Sequence, residues 1–365
     1  MRSAEVSPDI ENVVGQFVKA LKRRVDAAAQ ATGDRSVVLS VHDHMERITL
    51  AVVFSVMYRK ENVIDFDADE DSWIKEFAQA ETSMMNPYVK LTWALPFLAP
   101  LFTWLFQFTV FGRSVQRVVT YIKQAADVRQ VAQARKQAKL ADQGPRLKRQ
   151  LIDGFIDMLI EKRITMRQYI GTAYFMLIAG YDTSANTATS LLWQLAHNMD
   201  IQHKLRKALK TDGMDADYVV WCIMETIRWH PAVPLGTGRI LTEDVTTNDG
   251  LLIPKGSYVT PSTYSIHHDD SVWPDADRFM PERWRDQSNF HPAAFMGFGL
   301  GPRNCVGSKM AVHELKLMIQ AIIMRYKVAP CEETIEQYDF ISPGLIFTIP
   351  AKPVKLRFTP VDTDD

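Results

Sequence analysis

The 365-residue chain carries three cysteines, Cys222, Cys305 and Cys331, and one of them sits in a setting suited to chemistry. Cys305 lies in Phe298–Gly307, which reads FGLGPRNCVG. Its glycines permit backbone conformations that a side chain forbids, so main-chain N–H groups can close around a sulfur. The segment that follows has apolar Ala311, Leu315, Met318 and Ile322 at helical spacing, which predicts a helix over 308–326. Cys305 therefore falls at or just before a helix N-terminus, where free N–H groups and the helix dipole favour an anionic sulfur. With Arg303 two residues earlier, such a thiolate is placed to hold a metal centre from one side. The competing reading is a buried, inert cysteine beside a glycine turn. The odd number of cysteines and the lack of a CxxC pair argue against a disulfide framework and against a closed zinc site.

A second setting is Ala179-Gly180-Tyr181-Asp182-Thr183-Ser184. It falls inside a helix predicted over 165–198, yet Gly, Asp and Thr are poor residues for a helix interior. The Thr183 hydroxyl can bond back to the carbonyl of Ala179 and open the helix slightly. That leaves a groove with a hydroxyl and a carboxylate, able to hold a diatomic molecule and pass protons; a kink around a packing glycine is the plainer reading. A third setting is Glu225 and Arg228, three apart and so on one helix face. By itself this pair reads as a surface ion pair worth little.

Two weaker patterns complete the set. His42 and His44 flank Asp43, but residues two apart do not share a helix face, so a polar helix start is the better reading than a metal site. Asp65, Asp67, Asp69, Asp71 and Glu76 approach a calcium-loop spacing, but Glu70 stands where the sharp turn needs glycine. A solvated acidic loop or helix start is preferred there.

Helical periodicity places most of these residues on rods. Helices are predicted over 10–29, 42–58, 114–140, 151–161, 165–198 and 219–229, with a short strand over 37–39. From 231 onward the texture changes to short β-like runs at 237–241, 251–253 and 258–261, punctuated by Asn248-Asp249-Gly250 and Pro254-Lys255-Gly256 turns. The most apolar stretch, 91–111, is long enough to suggest a membrane span, but Pro96 and Pro100 break it. Its tryptophans and phenylalanines suit a surface that dips into a bilayer. Basic residues crowd 129–149, as a solvated face or as a docking surface for an acidic partner or anionic lipid. A net charge of −1 gives no reason to expect a nucleic-acid partner.

Phe298, Gly301, Arg303, Cys305 and Gly307 resemble the haem-binding signature of the cytochrome P-450 family and fill each of its fixed positions. Glu225 and Arg228 match that family's ExxR pair, and Pro281-Glu282-Arg283-Trp284 resembles its PERF segment with Trp for Phe. The resemblance implies that Glu225, Arg228 and Arg283 form a buried charge triad supporting the cysteine loop, in place of a surface pair. Ala179–Ser184 resembles the family's oxygen-activation segment, with Asp182 and Thr183 as its acid–threonine pair. By family position, Phe298, Arg303, Arg239 and His267 would contact haem b, the last three at its propionates. Ala232, Val233, Leu235, Leu345, Ile346 and Phe347 would line the substrate pocket. The implied fold is mainly α with small β-sheets, as one domain over 1–365: helical over about 10–230 and mixed, with the haem loop, over about 231–358.

The sequence GPRNC, the broken apolar stretch and the ending GLIFTIPAKPVKLRF resemble the animal microsomal type that oxidises steroids and xenobiotics. That likeness implies a monooxygenase on the cytosolic face of the endoplasmic reticulum membrane, touching it through 91–111. Electrons would come from NADPH–cytochrome P-450 reductase, with cytochrome b5 as a further partner. Cys305 would ligate the iron, and Asp182 and Thr183 would help deliver protons while one oxygen atom enters a lipophilic substrate. Two departures stand out. The segment between Arg206 and Glu225 is short for the family. The chain also starts where the family's fourth major helix is expected, so the anchor and about a quarter of a usual chain are expected to be missing. Two other readings follow: a haem-thiolate isomerase of lipid peroxides, against which the Asp182–Thr183 pair counts, and a non-catalytic fragment.

Overall fold

The computed structural model describes residues 3–58, 64–67, 91, 95–125, 151–286, 290–342 and 347–361. The N-terminal helix α1 (Ser3–Thr32) buries Val13, Val14, Phe17, Leu21 and Val25 on one face, as their spacing predicts. Strand β1 (Val37–Ser40) follows, and α2 (Val41–Tyr58) starts directly after it. His42 is thus in the first turn of α2, and its Nε2 pairs with Glu46 one turn later at 3.3 Å.

The broken apolar stretch becomes a 3-10 turn (Pro96–Leu98) and two helices, α3 (Ala99–Phe106) and α4 (Val110–Ala125). Both prolines act as helix starters: Pro96 opens the 3-10 turn and Pro100 sits in the first turn of α3. Phe97, Leu101, Trp104 and Phe108 are exposed, and no described helix is long and apolar enough to cross a membrane. The calcium-like pattern beyond Asp67, residues 92–94, the basic run over 129–149, and Leu345 and Ile346 lie outside the described residues.

Helix α5 (Leu151–Ile160) leads to the central helix α6 (Met166–His197). Thr165 and Gln168 close a capping box at its start, each side chain satisfying the other's backbone N–H. From Ser184 to Ala196 the helix is buried all round, which only a core position allows. Its partner along the most extensive helix–helix contact is α2. The glycine of the irregular stretch explains the closeness: a Cβ on Gly180 would stand 3.1 Å from Val53 Cγ2.

Helices α7 (Met199–Asp212) and α8 (Asp217–Trp229) complete the helical part, with α7 absent from the predicted elements. The β texture after 231 is real but minimal. Two-residue ladders pair β2 (Arg239–Ile240) with β5 (Tyr258–Val259), and β3 (Val245–Thr246) with β4 (Leu252–Ile253), all antiparallel. A short α9 (Thr263–His267), a 3-10 turn (Pro281–Arg285) and then α10 (Ser308–Ile323) follow. Three residues past α10 begins β6 (Tyr326–Pro330), where the periodicity alone extends the helix to 326. The chain closes with the pair β7 (Phe340–Ile341) and β8 (Ile349–Pro350), then β9 (Lys355–Pro360). Strand β9 lies between β1 and β6 in an antiparallel sheet, with Phe358 opposite both Val37 and Val328. The expected class, mainly α with small β-sheets, is the one observed.

Candidate active site

Cys305 leaves a single 3-10 turn (Gly301–Arg303) and enters α10, whose N-cap is Gly307. Gly299 and Gly301 have φ of +70° and +69°, a region that penalises any Cβ. They fold the loop back so that the Cys305 N–H donates to the Phe298 carbonyl at 2.7 Å. Phe298 anchors this end by packing on the main core. Cys305 is exposed, Val306 is 94% exposed, and a Cβ on Gly307 would lie no nearer than 3.8 Å to the sulfur. The reading of a buried, inert cysteine fails on this exposure. Cys222 fits that description instead: it is buried in the core, and burial pushes its thiol pKa up, the Glu282 carboxylate adding to it.

Glu225, Arg228 and Arg283 come together, with side chains almost wholly buried. The Glu225 carboxylate takes five donors. Oε1 accepts from Arg228 Nη2 (2.9 Å), Arg283 Nε (3.0 Å) and the Met280 N–H (2.9 Å); Oε2 accepts from Arg228 Nε (2.9 Å) and Trp284 Nε1 (3.0 Å). The remaining guanidinium N–H groups go to carbonyls of His267, Pro274, Asp275, Ala276 and Arg278. A surface ion pair, the reading the spacing alone favours, is therefore corrected to a dry, saturated network.

The network reaches the cysteine loop through His267. Its Nδ1 donates to the Arg228 carbonyl (3.1 Å) and its Nε2 accepts from the Met296 N–H (3.0 Å). Burial lowers its pKa to about 4, so the ring is neutral and that tautomer is consistent with both bonds. Phe295 stacks flat on the ring at 5.3 Å and meets Phe298 edge-on at 6.3 Å. With both nitrogens engaged and no exposed surface, His267 is a strut between α8 and the loop, and this corrects its expected place among the propionate contacts. Arg303 and Arg239 are exposed; Arg239 Nη1 donates to the Thr237 and Gly238 carbonyls.

In α6 the Thr183 hydroxyl donates to the Ala179 carbonyl at 3.0 Å, the back-bond its position predicts. Asp182 is 8% exposed. Burial, with the Glu46 carboxylate adding to it, pushes its pKa up to about 7, while His42 and the Asn186 amide pull the other way. Asn186 Nδ2 donates to Asp182 Oδ1 at 3.0 Å. Among the expected pocket residues, Ala232 is tied to the segment of Phe347, since the Thr348 N–H donates to the Ala232 carbonyl at 2.9 Å. Val233 is half-buried and Leu235 exposed. Two groups escape the reading of motifs: Glu46, and Glu314 on the buried side of α10. Glu314 sits four residues before Met318, a spacing that already places it on the apolar face.

An exposed thiol on a glycine turn, with the exposed guanidinium of Arg303 two residues before it, is a donor set that fits a haem held by one cysteine. The comparisons agree. The family model "Cytochrome P450" matches residues 2–358. Cytochrome P450 3A12 of Canis lupus familiaris is 25% identical over 96% of this chain and 70% of its own length. Cytochrome P450 3A2 of Rattus norvegicus is 31% identical over 56% of this chain, and cytochrome P450 3A7 of Homo sapiens 27% identical over 75%. The chain spans about half the length of these last two relatives, 43% and 55%. The match from one end of the fold to the other shows that this chain belongs to the cytochrome P450 family.

Proposed function

We propose that the chain acts as a haem-dependent monooxygenase on a lipophilic small molecule of the steroid, lipid or xenobiotic kind. The observation that carries this reading is the exposed Cys305 on a glycine loop, with the buried Glu225–Arg228–Arg283 network joined through His267 to the Met296 N–H two residues before that loop. Bound haem supplies the activation of dioxygen and the delivery of one oxygen atom to the substrate. Cys305 would hold its iron, and Phe298 would flank it, while Arg303 and Arg239 would pair with its propionates. Asp182 and Thr183 would hold the protons that the reaction consumes: a carboxyl that titrates near neutrality can both give and take one at working pH. Apolar Ala232, Val233, Leu235, Leu345, Ile346 and Phe347 would bind the substrate and exclude water.

NADPH–cytochrome P-450 reductase is the proposed electron donor, with cytochrome b5 as a second partner. The exposed Phe97, Leu101, Trp104 and Phe108 support a peripheral contact with the endoplasmic reticulum membrane on its cytosolic face, since such rings sit well at a bilayer interface. The test is the absorption spectrum of the expressed chain, supplied with haem, reduced and exposed to carbon monoxide. A thiolate-type Soret band is expected in the wild type and its loss in Cys305→Ala. Failure of the wild-type chain to take up haem would end the enzymatic reading.

A further inference from the structure

The chain just after α8 and the β7–β8 hairpin carry two parts of the proposed substrate pocket, Ala232 and Val233 on one and Phe347 on the other. They are joined at two places. The first is a main-chain joint: the Thr348 N–H donates to the Ala232 carbonyl at 2.9 Å, and the Thr348 hydroxyl to the Pro231 carbonyl at 3.4 Å. Such a joint fixes a distance and leaves the hairpin free to tilt about it. The second is His230, the residue that caps α8, whose N–H donates to the Thr226 carbonyl at 2.7 Å. Its buried ring meets Tyr338 edge-on at 4.4 Å and Phe340 edge-on at 4.6 Å. Phe340 opens β7 and stands opposite Pro350 of β8. The same ring reaches α6, its Nδ1 lying 3.2 Å from the Ser190 hydroxyl, in the stretch of that helix buried all round. Burial lowers the His230 pKa to about 3, so the ring brings no charge among the aromatics. Trp193 of α6 holds the root of the segment separately: its Nε1 donates to the Ile335 carbonyl at 3.1 Å and its ring meets Tyr338 edge-on at 5.5 Å.

We propose that His230 is a positioning residue that sets the tilt of the β7–β8 hairpin against α6 and α8, and with it the size of lipophilic ligand that the pocket accepts. The proposal deepens the functional reading above and rests on it for Ala232, Val233 and Phe347 as pocket residues. Two edge-on ring pairs and one hydrogen bond to the core brace the hairpin at this point. Without them the Thr348 joint becomes a hinge, and a larger ligand can push the hairpin aside. Phe340 also meets Tyr264 of α9 at 5.4 Å, so the hairpin stays docked and only its angle loosens.

The experiment compares two rigid lipophilic probes of different size, naphthalene and pyrene, on the haem-loaded full chain, with affinity read from quenching of each probe's fluorescence. His230→Ala should shift the ratio of the two dissociation constants about tenfold in favour of pyrene, in keeping with the loss of two ring pairs. A general fold defect weakens both probes and leaves the ratio alone. His230→Phe keeps a ring at the same place and should bring the ratio most of the way back. Phe340→Leu attacks the contact from the hairpin and should move the ratio in the same direction; it decides the matter if His230→Ala does not fold. Amide hydrogen exchange reads the brace itself. In His230→Ala the Thr348 N–H, and the Ala351 N–H that donates to the Asp339 carbonyl at 2.9 Å, should exchange about tenfold faster, with the amides of α8 unchanged. A ratio that stays within about twofold of the wild type in the folded variants would overturn the proposal, whatever the exchange shows. If the wild-type chain binds neither probe, it is the pocket reading that fails and the ligand half of the proposal falls with it, while exchange still supports or overturns the brace.

Discussion

At the scale of single residues, Glu225 has the most to lose. Its carboxylate is the only anion in direct contact with two buried guanidinium groups among the described residues, and both of its oxygens are saturated with donors. Glu225→Gln keeps the shape but turns one oxygen into an NH2 that faces N–H groups, and it leaves two cations without a counter-charge. Breaking a buried pair in this way costs about 3–5 kcal/mol. Lys204 and Glu282 offer the contrast nearby: a 2.7 Å ion pair whose Lys204 side chain is more than half exposed. Lys204→Met should cost under about 1 kcal/mol, because solvent already screens the pair. Urea denaturation of both variants measures the difference, and equal costs would refute the argument from burial. Because the network carries His267, and His267 carries the Met296 N–H, Glu225→Gln should also weaken haem uptake.

Among secondary-structure elements, the contact between α2 and α6 decides how the irregular stretch is tolerated. Gly180 costs about 1 kcal/mol of helix propensity relative to alanine, and its return is close packing on Val53. Gly180→Leu should destabilise the chain by about 1–3 kcal/mol through overpacking. Adding Val53→Ala should recover part of that loss, so the double mutant would be more stable than the sum of the single costs. Thermal or chemical unfolding of the four chains gives the coupling, and strict additivity would show that Gly180 does not set the helix separation. The same elements show why some of the fold could be read in advance. Long helices such as α1, α2 and α6 carry their own periodicity, and Thr165 marks a start by local chemistry alone. Cys305 and Glu225 are equally legible, because spacing along the chain fixes their neighbours. Helix α7 and strand β6 were not legible, because each is completed by the other. Gln202 brackets Val328 with two hydrogen bonds, at 2.8 and 3.0 Å, and Arg206 donates to the carbonyls of Ile323 and Tyr326. These are side chains serving as strand partners across more than a hundred residues, and no local pattern announces them. The strut role of His267 is illegible for the same reason, since Arg228 and Met296, the residues that occupy its ring, are distant in sequence.

Across the whole molecule, α6 collects buried ionisable groups from several directions, and this gives stability a defined pH dependence. Glu314 of α10 is fully buried, and burial raises its pKa from 4.5 to about 8, the Ser184 hydroxyl opposing. With Asp182 raised to about 7, the native chain keeps two protons that the unfolded chain releases above about pH 4. Their contribution to stability therefore falls as pH rises from about 4 to 8. His230, which meets Ser190 of α6 at 3.2 Å, and His267 behave in the opposite way. Burial lowers them from 6.5 to about 3 and about 4, so the unfolded chain binds protons that the native chain refuses, and stability falls as pH drops below 6.5. Each group contributes a slope of about 1.4 kcal/mol per pH unit where its two states differ. Between about pH 4.5 and 6.5 the two carboxyls are opposed by His230 and His267, and by His268 and His313, which burial also lowers, so no net loss of stability with rising pH is expected there. Above pH 6.5 the histidines are neutral in both states and only the carboxyls remain, joined by His42, whose raised pKa adds a loss of the same sign. Glu314→Gln removes one carboxyl slope, so between about pH 6.5 and 8 the variant should lose stability less steeply than the wild type. Unfolding free energies from urea titrations at about pH 5, 6.5 and 8 test this, with moderate salt to screen surface charges. A variant whose decline matches the wild type would mean that Glu314 is already ionised in the native chain, and the core around α6 would then have to hold a charge whose partner is the neutral Ser184 hydroxyl.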